Sequence, residues 1–271
     1  MELIIERGRT ERQYWRDLWR FRELLYFLAW RDILVRYKQT AIGIAWSLLR
    51  PLVTMLVFTF VFGRLAKLPS DGVPYPLLVF SGLLPWSFFS TAISESGNSL
   101  VTNSNLISKI YFPRMVVPIS SIVTCFVDFL IAGALLVGVM IYYQHPASWR
   151  LLALPGLLFL CFLAGIGAGL WLSALTVKYR DFRFIIPFIV QFGLYISPVG
   201  FSSTRIPDDW RMVYALNPIV GVIDGFRWAI VGGNNLIHLP SFLVSFMVII
   251  VLVVTGAMYF RHTEKSFADI I

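Results

Sequence analysis

The sequence predicts an all-α integral membrane protein with six transmembrane helices. The composition is 58% hydrophobic and only 14% charged, with a mean hydropathy of +0.74, and a water-soluble domain of 271 residues could not bury that much apolar surface. Uncharged runs of about 20 residues, the length that a helix needs to cross a bilayer, recur along the chain. Lys and Arg concentrate in alternate connections between these runs, which is typical of a multi-span protein.

The six spans follow from the apolar runs taken in order. The first is residues 43–63, interrupted only by Arg50, whose long side chain can reach the interface from near one end. The third joins residues 115–127, a run too short by itself, through Asp128 to residues 129–149. The other four are uncharged throughout and cover residues 72–94, 151–177, 184–204 and 228–260.

The distribution of basic residues predicts the orientation. With the N-terminus in the cytosol, 17 of the 23 Lys and Arg residues fall on the cytoplasmic side, so we expect both termini to be cytoplasmic. The same asymmetry explains the net charge of +8 without a nucleic-acid partner, and none is expected.

The N-terminal region, residues 1–38, is expected to carry an amphipathic helix that lies at the inner leaflet before a single transmembrane domain, residues 39–271. Thr10 and Gln13 have the spacing of a capping box and predict the helix start. Apolar and aromatic side chains, among them Tyr14 and Trp19, gather on one arc of this helix, as in helices of the headgroup plane. A short soluble helix packed on a partner is the alternative.

The connections predict two further elements. Residues 98–114 are too polar to cross the membrane, and residues 105–111 are expected to form a short cytoplasmic helix that stops before Pro113. Between the fifth and sixth spans, residues 212–223 form an uncharged run of 12, too short to cross. Asn217 and Pro218 would split this segment into a re-entrant hairpin on the outer side.

Such a hairpin predicts an aqueous passage, because irregular backbone is tolerated at membrane depth only against protein or water. Asp224 and Arg227, three positions apart on the returning half, would face one another across a helical turn.

The sequence gives no indication of a catalytic centre. His145, His238 and His262 are scattered, and neither metal-ligand spacing nor a phosphate-binding Gly-Lys-Ser/Thr loop occurs. We therefore expect no enzyme and no metal, and any ATP hydrolysis would belong to a separate subunit. Asp128, inside a span, should point inward to a partner, either as a pathway residue or as a structural hydrogen bond between helices. Glu95 is either a solvated rim residue or part of an inner gate.

Aromatic residues are frequent within the spans. They are expected to form interfacial belts and lipid-facing surface, or to line a wide conduit in which flat rings accept the C–H faces of sugars. The candidates for glycan contact are Phe58, Phe62, Trp86, Phe89, Phe192 and Tyr195.

Six segments form a recognisable combination: WRDILVRYKQTAIGIAWSLLRPL, FSGLLPWSFF, NSNLISKIYFPR, VKYRDFR, NPIVGVIDGFRWAIVG and FRHTEKSFADII. Together they resemble the permease subunit of bacterial ABC polysaccharide exporters, the type-2 permeases of O-antigen and teichoic-acid export. The resemblance runs from about residue 30 to residue 271. The long charged N-terminal arm differs from group-2 capsule permeases and favours O-antigen-like export.

The resemblance implies a homodimer in the inner membrane that pairs with two copies of a nucleotide-binding ATPase. It also implies export of an undecaprenyl-diphosphate-linked glycan, with ATP and Mg bound by the partner and no cofactor in this chain. The implied ATPase-coupling residues are Asn105, Leu106, Ile107, Ser108, Lys109, Ile110 and Tyr111, with Tyr179, Arg180 and Asp181 near the same interface. The implied periplasmic gate residues are Trp210, Tyr214, Asn217, Pro218, Asp224 and Arg227.

Arg36, Lys38 and Arg50 are candidates to attract the pyrophosphate of the lipid carrier, and ordinary interfacial anchoring is the alternative. Two other functions stay open at this stage. A type-2 ABC permease for small lipids or drugs would share the fold. An ATP-independent membrane enzyme or scaffold acting on undecaprenyl-linked sugar would depend on Asp128, Glu95 or Asp224. The choice among O-antigen, capsule and teichoic acid is also open.

Overall fold

The computed structural model describes residues 11–38, 44–70, 72–232, 237–265 and 267. The expected capping residue Thr10 lies outside these ranges. Within them the chain is helical, with no β-strand, so the all-α prediction is confirmed.

The helices are α1 (Glu11–Arg20), α2 (Arg22–Lys38), α3 (Ile44–Phe58), α4 (Tyr75–Thr102), α5 (Ser104–Lys109), α6 (Val116–Tyr142), α7 (Leu154–Lys178), α8 (Phe182–Ile196), α9 (Asp208–Tyr214), α10 (Pro218–Ile230) and α11 (Leu239–Glu264). A π-helical segment, Thr59–Leu65, extends α3, and a 3-10 helix, Trp149–Ala153, leads into α7.

Five helical segments are long and apolar enough to cross a bilayer: Ala45–Leu65, Tyr75–Thr102, Val116–Tyr142, Trp149–Lys178 and Leu239–Glu264. The structure therefore gives five of the six expected spans by this measure. The expected fifth span is shorter, because α8 ends at Ile196 after 15 residues, about 22 Å, and the chain continues as turns. The predicted start of the sixth span, at residue 228, is wrong, because Trp228 belongs to α10 and the long helix begins only at Leu239.

Helix α4 occupies the centre of the bundle and packs against α6, α7 and α10. Its close contact with α7 depends on small residues. A Cβ on Gly165 would lie 3.3 Å from Ala92 Cβ, and one on Gly169 would lie 2.6 Å from Ser96 Oγ. The Gly-x-x-x-Gly pair at 165 and 169 thus lets another helix approach closely, as such pairs do in membrane bundles.

An apolar cluster closes the end of the bundle at which α5 lies, and we call it the basal cluster. It joins buried residues of α1, α5, the start of α6 and the end of α11, including Tyr14, Ile107, Met115 and Phe260. The N-terminal helix is therefore packed on protein along part of its apolar arc. Trp19 on the same arc is 70% exposed and remains available to a lipid interface.

Candidate functional site

A polar cavity of about 520 Å³ lies between α2, α3, α4, α6 and α8. Four charged residues line it, Arg36, Arg50, Glu95 and Asp128, and their formal charges sum to zero. Its other walls carry aromatic and hydroxyl side chains: Tyr37, Trp46, Ser47, Trp86, Ser87, Ser90 and Thr91. The cavity has the size of a small-molecule site and offers both cationic and hydrogen-bonding groups.

Asp128 points into this cavity, as expected of an acid within a span. Its Oδ2 accepts a hydrogen bond from Arg36 Nη1, and its Oδ1 accepts one from the Tyr37 hydroxyl. Ser47 Oγ donates a third hydrogen bond to Oδ1 at 3.2 Å. Because the donors belong to α2 and α3, this carboxylate on α6 holds the end of α2 and the start of α3 against the bundle.

The three residues expected to attract a lipid pyrophosphate do not share one environment. Arg36 is paired with Asp128 and also lies 3.4 Å, Nη2 to Oε1, from Glu95. Arg50 lines the same cavity from α3, where it is exposed. Lys38, the last residue of α2, is exposed and does not line the cavity.

The six candidate aromatic residues are distributed over three surfaces. Trp86 is buried and lines the cavity, and its ring packs against Phe89 at 6.1 Å between centroids. Phe58 and Phe62 form a pair at 5.3 Å on α3 and its π-helical extension. Phe192 and Tyr195 are 50% and 64% exposed on α8. Within one chain, the cavity therefore contains only Trp86 of this set.

Arg227, near the end of α10, is a buried arginine that is only 3% exposed. Its Nη2 donates to the carbonyl oxygen of Val199 at 2.9 Å and its Nη1 to that of Phe201 at 2.6 Å. These two carbonyls belong to the turns that follow α8. An arginine that supplies donors to irregular backbone explains how α8 can end so early in an apolar protein.

Asp224, Asn217 and Tyr214 bind the same stretch of chain. Asp224 Oδ1 accepts from Ser203 Oγ at 2.7 Å, and Asn217 Nδ2 donates to the Oγ atom of Ser197 at 3.0 Å. The Tyr214 hydroxyl donates to the carbonyl oxygen of Ile196 at 2.6 Å. Thus α9 and α10 are bound to the end of α8 and the turns after it.

The helical break at Asn217 and Pro218 occurs where the sequence predicts it. Asn217 caps α10 by accepting a hydrogen bond from the Ile219 backbone N–H at 3.3 Å, and Pro218 takes the first helical position. Trp210, on α9, is 61% exposed. The half-helices and their break are therefore present.

The short helix expected over residues 105–111 is present as α5, Ser104–Lys109; it begins one residue earlier and ends two residues earlier than expected. Ile107 is buried in the basal cluster, and Leu106 packs partly against it. The side chains directed outward are Asn105, Ser108, Lys109, Ile110 and Tyr111. The buried isoleucine anchors the helix, and the exposed residues form a surface that a partner could contact.

A contact that the sequence did not reveal joins α2 to the start of α5. Arg31 Nη2 donates to Asn103 Oδ1 at 3.0 Å, and Asn103 precedes α5 directly. Since α2 also carries Arg36, one helix connects the exposed α5 surface with the polar cavity. No local sequence signal predicts this pairing, because the two residues are 72 positions apart.

The loop between α7 and α8 lies at the same end as α5, because α6 runs away from that end and α7 returns to it. Tyr179, Arg180 and Asp181 are all exposed there, and Lys178 Nζ lies 5.3 Å from the centroid of the Tyr179 ring.

Three charged residues, Arg114, Arg261 and Glu264, lie at the edge of the basal cluster. Arg261 lies 3.5 Å from the centre of the Tyr14 ring, and Arg114 Nη1 donates to the Glu264 carbonyl oxygen at 2.6 Å. Burial, followed by the nearby Glu264 carboxylate, raises the pKa of Tyr14 above its ordinary value. Within the described ranges, no three His, Cys, Asp or Glu side chains could jointly hold a metal ion.

Long apolar helices around a cavity with charged walls define a multi-span membrane protein. Comparison with known families identifies it further. The ABC-2 type transporter family matches residues 23–231, and the chain belongs to this family. The resemblance inferred from the sequence is thereby confirmed.

Characterised relatives cover most of the chain. An O-antigen export system permease protein RfbA from Myxococcus xanthus is 26% identical over 94% of this chain and 97% of its own length. The polysialic acid transport protein KpsM of Escherichia coli is 23% identical over 75% of this chain and 79% of its own length. The inner membrane transport permease YadH of Escherichia coli K12 is 26% identical over 76% of this chain and 85% of its own length.

Proposed function

We propose that this chain is the membrane-spanning subunit of an ATP-driven exporter of an undecaprenyl-diphosphate-linked polysaccharide of the O-antigen kind. The observation that carries the proposal is the similarity, over nearly the whole of both chains, to a permease named for O-antigen export. In this proposal the chain is a homodimer in the bacterial inner membrane, and two copies of a separate ATPase subunit supply the energy.

The proposed topology has six crossings with both termini in the cytosol. Helix α8, with the turns after it, is the fifth crossing, and α9 and α10 form a periplasmic gate. The supporting contacts are those that Tyr214, Asn217, Asp224 and Arg227 make with the end of α8, since a gate held by hydrogen bonds can be rearranged without unfolding a span.

The cavity residues Arg36 and Arg50 are proposed to receive the diphosphate of the lipid carrier. Guanidinium groups match phosphate oxygens in geometry and charge, and Arg is favoured where such recognition is bidentate. Trp86, on the cavity wall, and the exposed rings of Phe192 and Tyr195 would contact sugar in the assembled dimer.

The exposed residues of α5, together with residues 179–181, are proposed to contact the ATPase. We expect Ile110→Asp to uncouple ATP hydrolysis from export, because it introduces a charge into a surface whose apolar side chain is 55% exposed. The measurement is ATPase activity of the copurified complex beside surface glycan in cells. The matched control is Ala147→Asp, which introduces the same charge at an exposed position between the end of α6 and the 3-10 helix before α7, at the end of the bundle away from α5. Wild-type export from Ile110→Asp would contradict the assignment of this surface.

The second candidate is a permease for small lipids or drugs, which the comparable similarity to YadH, a transport permease whose name specifies no glycan, keeps in view. Deleting the gene distinguishes the two functions. An exporter of lipid-linked polysaccharide leaves that glycan accumulated on the cytoplasmic side and absent from the cell surface. A drug permease changes resistance and leaves surface glycan unchanged.

A further inference from the structure

As an anion site, the polar cavity has one unfavourable feature: its arginines share it with two carboxylates. Of its two arginines, Arg36 is already bound to a carboxylate, that of Asp128, and lies 3.4 Å from a second, that of Glu95. Since the formal charges of the four charged residues sum to zero, the cavity as it stands offers a diphosphate no excess of positive charge. A diphosphate can be held well only if Arg36 exchanges its partner.

Carboxylate and phosphate are interchangeable partners for a guanidinium, since both present two oxygens to its fork of N–H donors. Asp128 therefore occupies the group that a phosphate would need. It is also the acceptor for Tyr37 on α2 and Ser47 on α3. Loss of Arg36 from this carboxylate would weaken the attachment of the α2 end and the α3 start to α6.

We propose that Asp128 is an internal competitor of the transported lipid: its carboxylate holds Arg36 until the diphosphate displaces it, and the displacement releases the α2 end and the α3 start from α6. This inference rests on the proposed function, which supplies the diphosphate. It makes arrival of the substrate and loosening of α2 against α6 a single event.

The exchange also has a route to the energy-supplying partner. Helix α2 carries Arg31, bonded to Asn103 at the start of α5, and, five residues further along, Arg36, bonded to Asp128. A displacement of α2 that follows the change of partner at Arg36 would reach the exposed α5 surface through one continuous helix.

The binding test uses the full chain in lipid nanodiscs that contain either undecaprenyl diphosphate or undecaprenol, with bound lipid measured by native mass spectrometry. Asp128→Asn removes the competing charge but keeps an oxygen acceptor for Tyr37 and Ser47. We expect it to bind undecaprenyl diphosphate about 3- to 30-fold more tightly than wild type. Arg36→Gln should bind it at least about tenfold more weakly. Neither variant should change binding of undecaprenol.

The matched control is Glu95→Gln, an equal loss of negative charge in the same cavity. Glu95 is more exposed than Asp128 and farther from Arg36, so its neutralisation should tighten binding by less than about threefold. An equal gain in the two variants would show a general charge effect and overturn the assignment to Asp128.

Release of the α2 end is measured separately, by spin labels at exposed Val35 on α2 and exposed Leu130 on α6. Undecaprenyl diphosphate should lengthen or broaden the distance in wild type. Asp128→Asn, which loses the charge pair with Arg36 but keeps an acceptor for Tyr37 and Ser47, should show part of that change without the lipid. If Asp128→Asn binds the diphosphate no better than wild type, while Arg36→Gln binds it worse, competition is refuted and the phosphate site stands. If wild type binds both lipids equally, the phosphate site itself fails, and the competition fails with it.

Discussion

Replacement of Arg227 should destabilise the protein more than almost any other single change of a polar residue. In Arg227→Met the carbonyl oxygens of Val199 and Phe201 lose the donors that lie 2.9 and 2.6 Å away. A buried carbonyl left without a partner costs about 1–3 kcal/mol, and the Phe201 carbonyl is only partly buried, so the two together cost about 2–4 kcal/mol. The thermal midpoint should then fall by at least about 5 °C.

The assay is thermal unfolding of the detergent-solubilised chain, followed by size exclusion of the fraction that stays monodisperse. The midpoint of Arg227→Lys should lie between those of wild type and Arg227→Met. A single ammonium group lacks the forked donors with which the guanidinium reaches both carbonyl oxygens. The control is Arg64→Met, at an exposed arginine in the π-helical segment after α3, which should stay within about 1 °C of wild type. An Arg227→Met midpoint equal to that of Arg64→Met would refute the argument that Arg227 supports the turns after α8.

Two further perturbations test helix packing. Gly167→Ala should lower stability by about 1–3 kcal/mol, because the added Cβ would lie 2.7 Å from a backbone nitrogen of α11, whereas Gly138→Ala, with nothing within 4 Å, should leave it unchanged or slightly higher. Limited trypsin digestion provides the measure for α1. Tyr14→Ala, which empties a buried position, should speed cleavage at Arg20, and Trp15→Ala, at a 48% exposed position, should not. Because burial and then Glu264 raise the pKa of Tyr14, ionisation of this residue should not weaken the wild-type protection at any pH up to about 10. Equal stability of Gly167→Ala and Gly138→Ala would contradict the packing of α7 on α11, and equal cleavage of Tyr14→Ala and Trp15→Ala would contradict the packing of α1.

Much of the candidate site was visible in the sequence as single residues. An acid within an apolar helix requires a partner, so Asp128 was identifiable from burial cost alone. An Asn-Pro pair within an apolar run too short to cross predicts a helix break, and Asn217 caps α10 as that pattern requires. The sequence also indicated Arg36 and Arg50 as cations near a membrane interface.

The partners of these residues were not visible. Arg36 and Asp128 are 92 positions apart, and Arg227 lies 28 positions from Val199. Their pairing depends on which helices cross and at what height, and no periodicity within a segment contains that information. The sequence expected Arg227 to face Asp224, and it did not reveal that both side chains also bind the turns after α8.

Composition and residue order are sufficient to predict that the protein is helical, that most of it belongs in a bilayer, and where the polar interruptions fall. These properties follow from local composition, because the cost of exposing backbone and charge to lipid acts on each segment separately. The tertiary structure alone decided that α8 ends at Ile196, that the carboxylate on α6 binds Arg36 on α2, and that α2 joins the cavity to α5. Those outcomes depend on side chains brought together from distant segments, since a buried charge or an open carbonyl is stabilised by whichever neighbour the packing supplies.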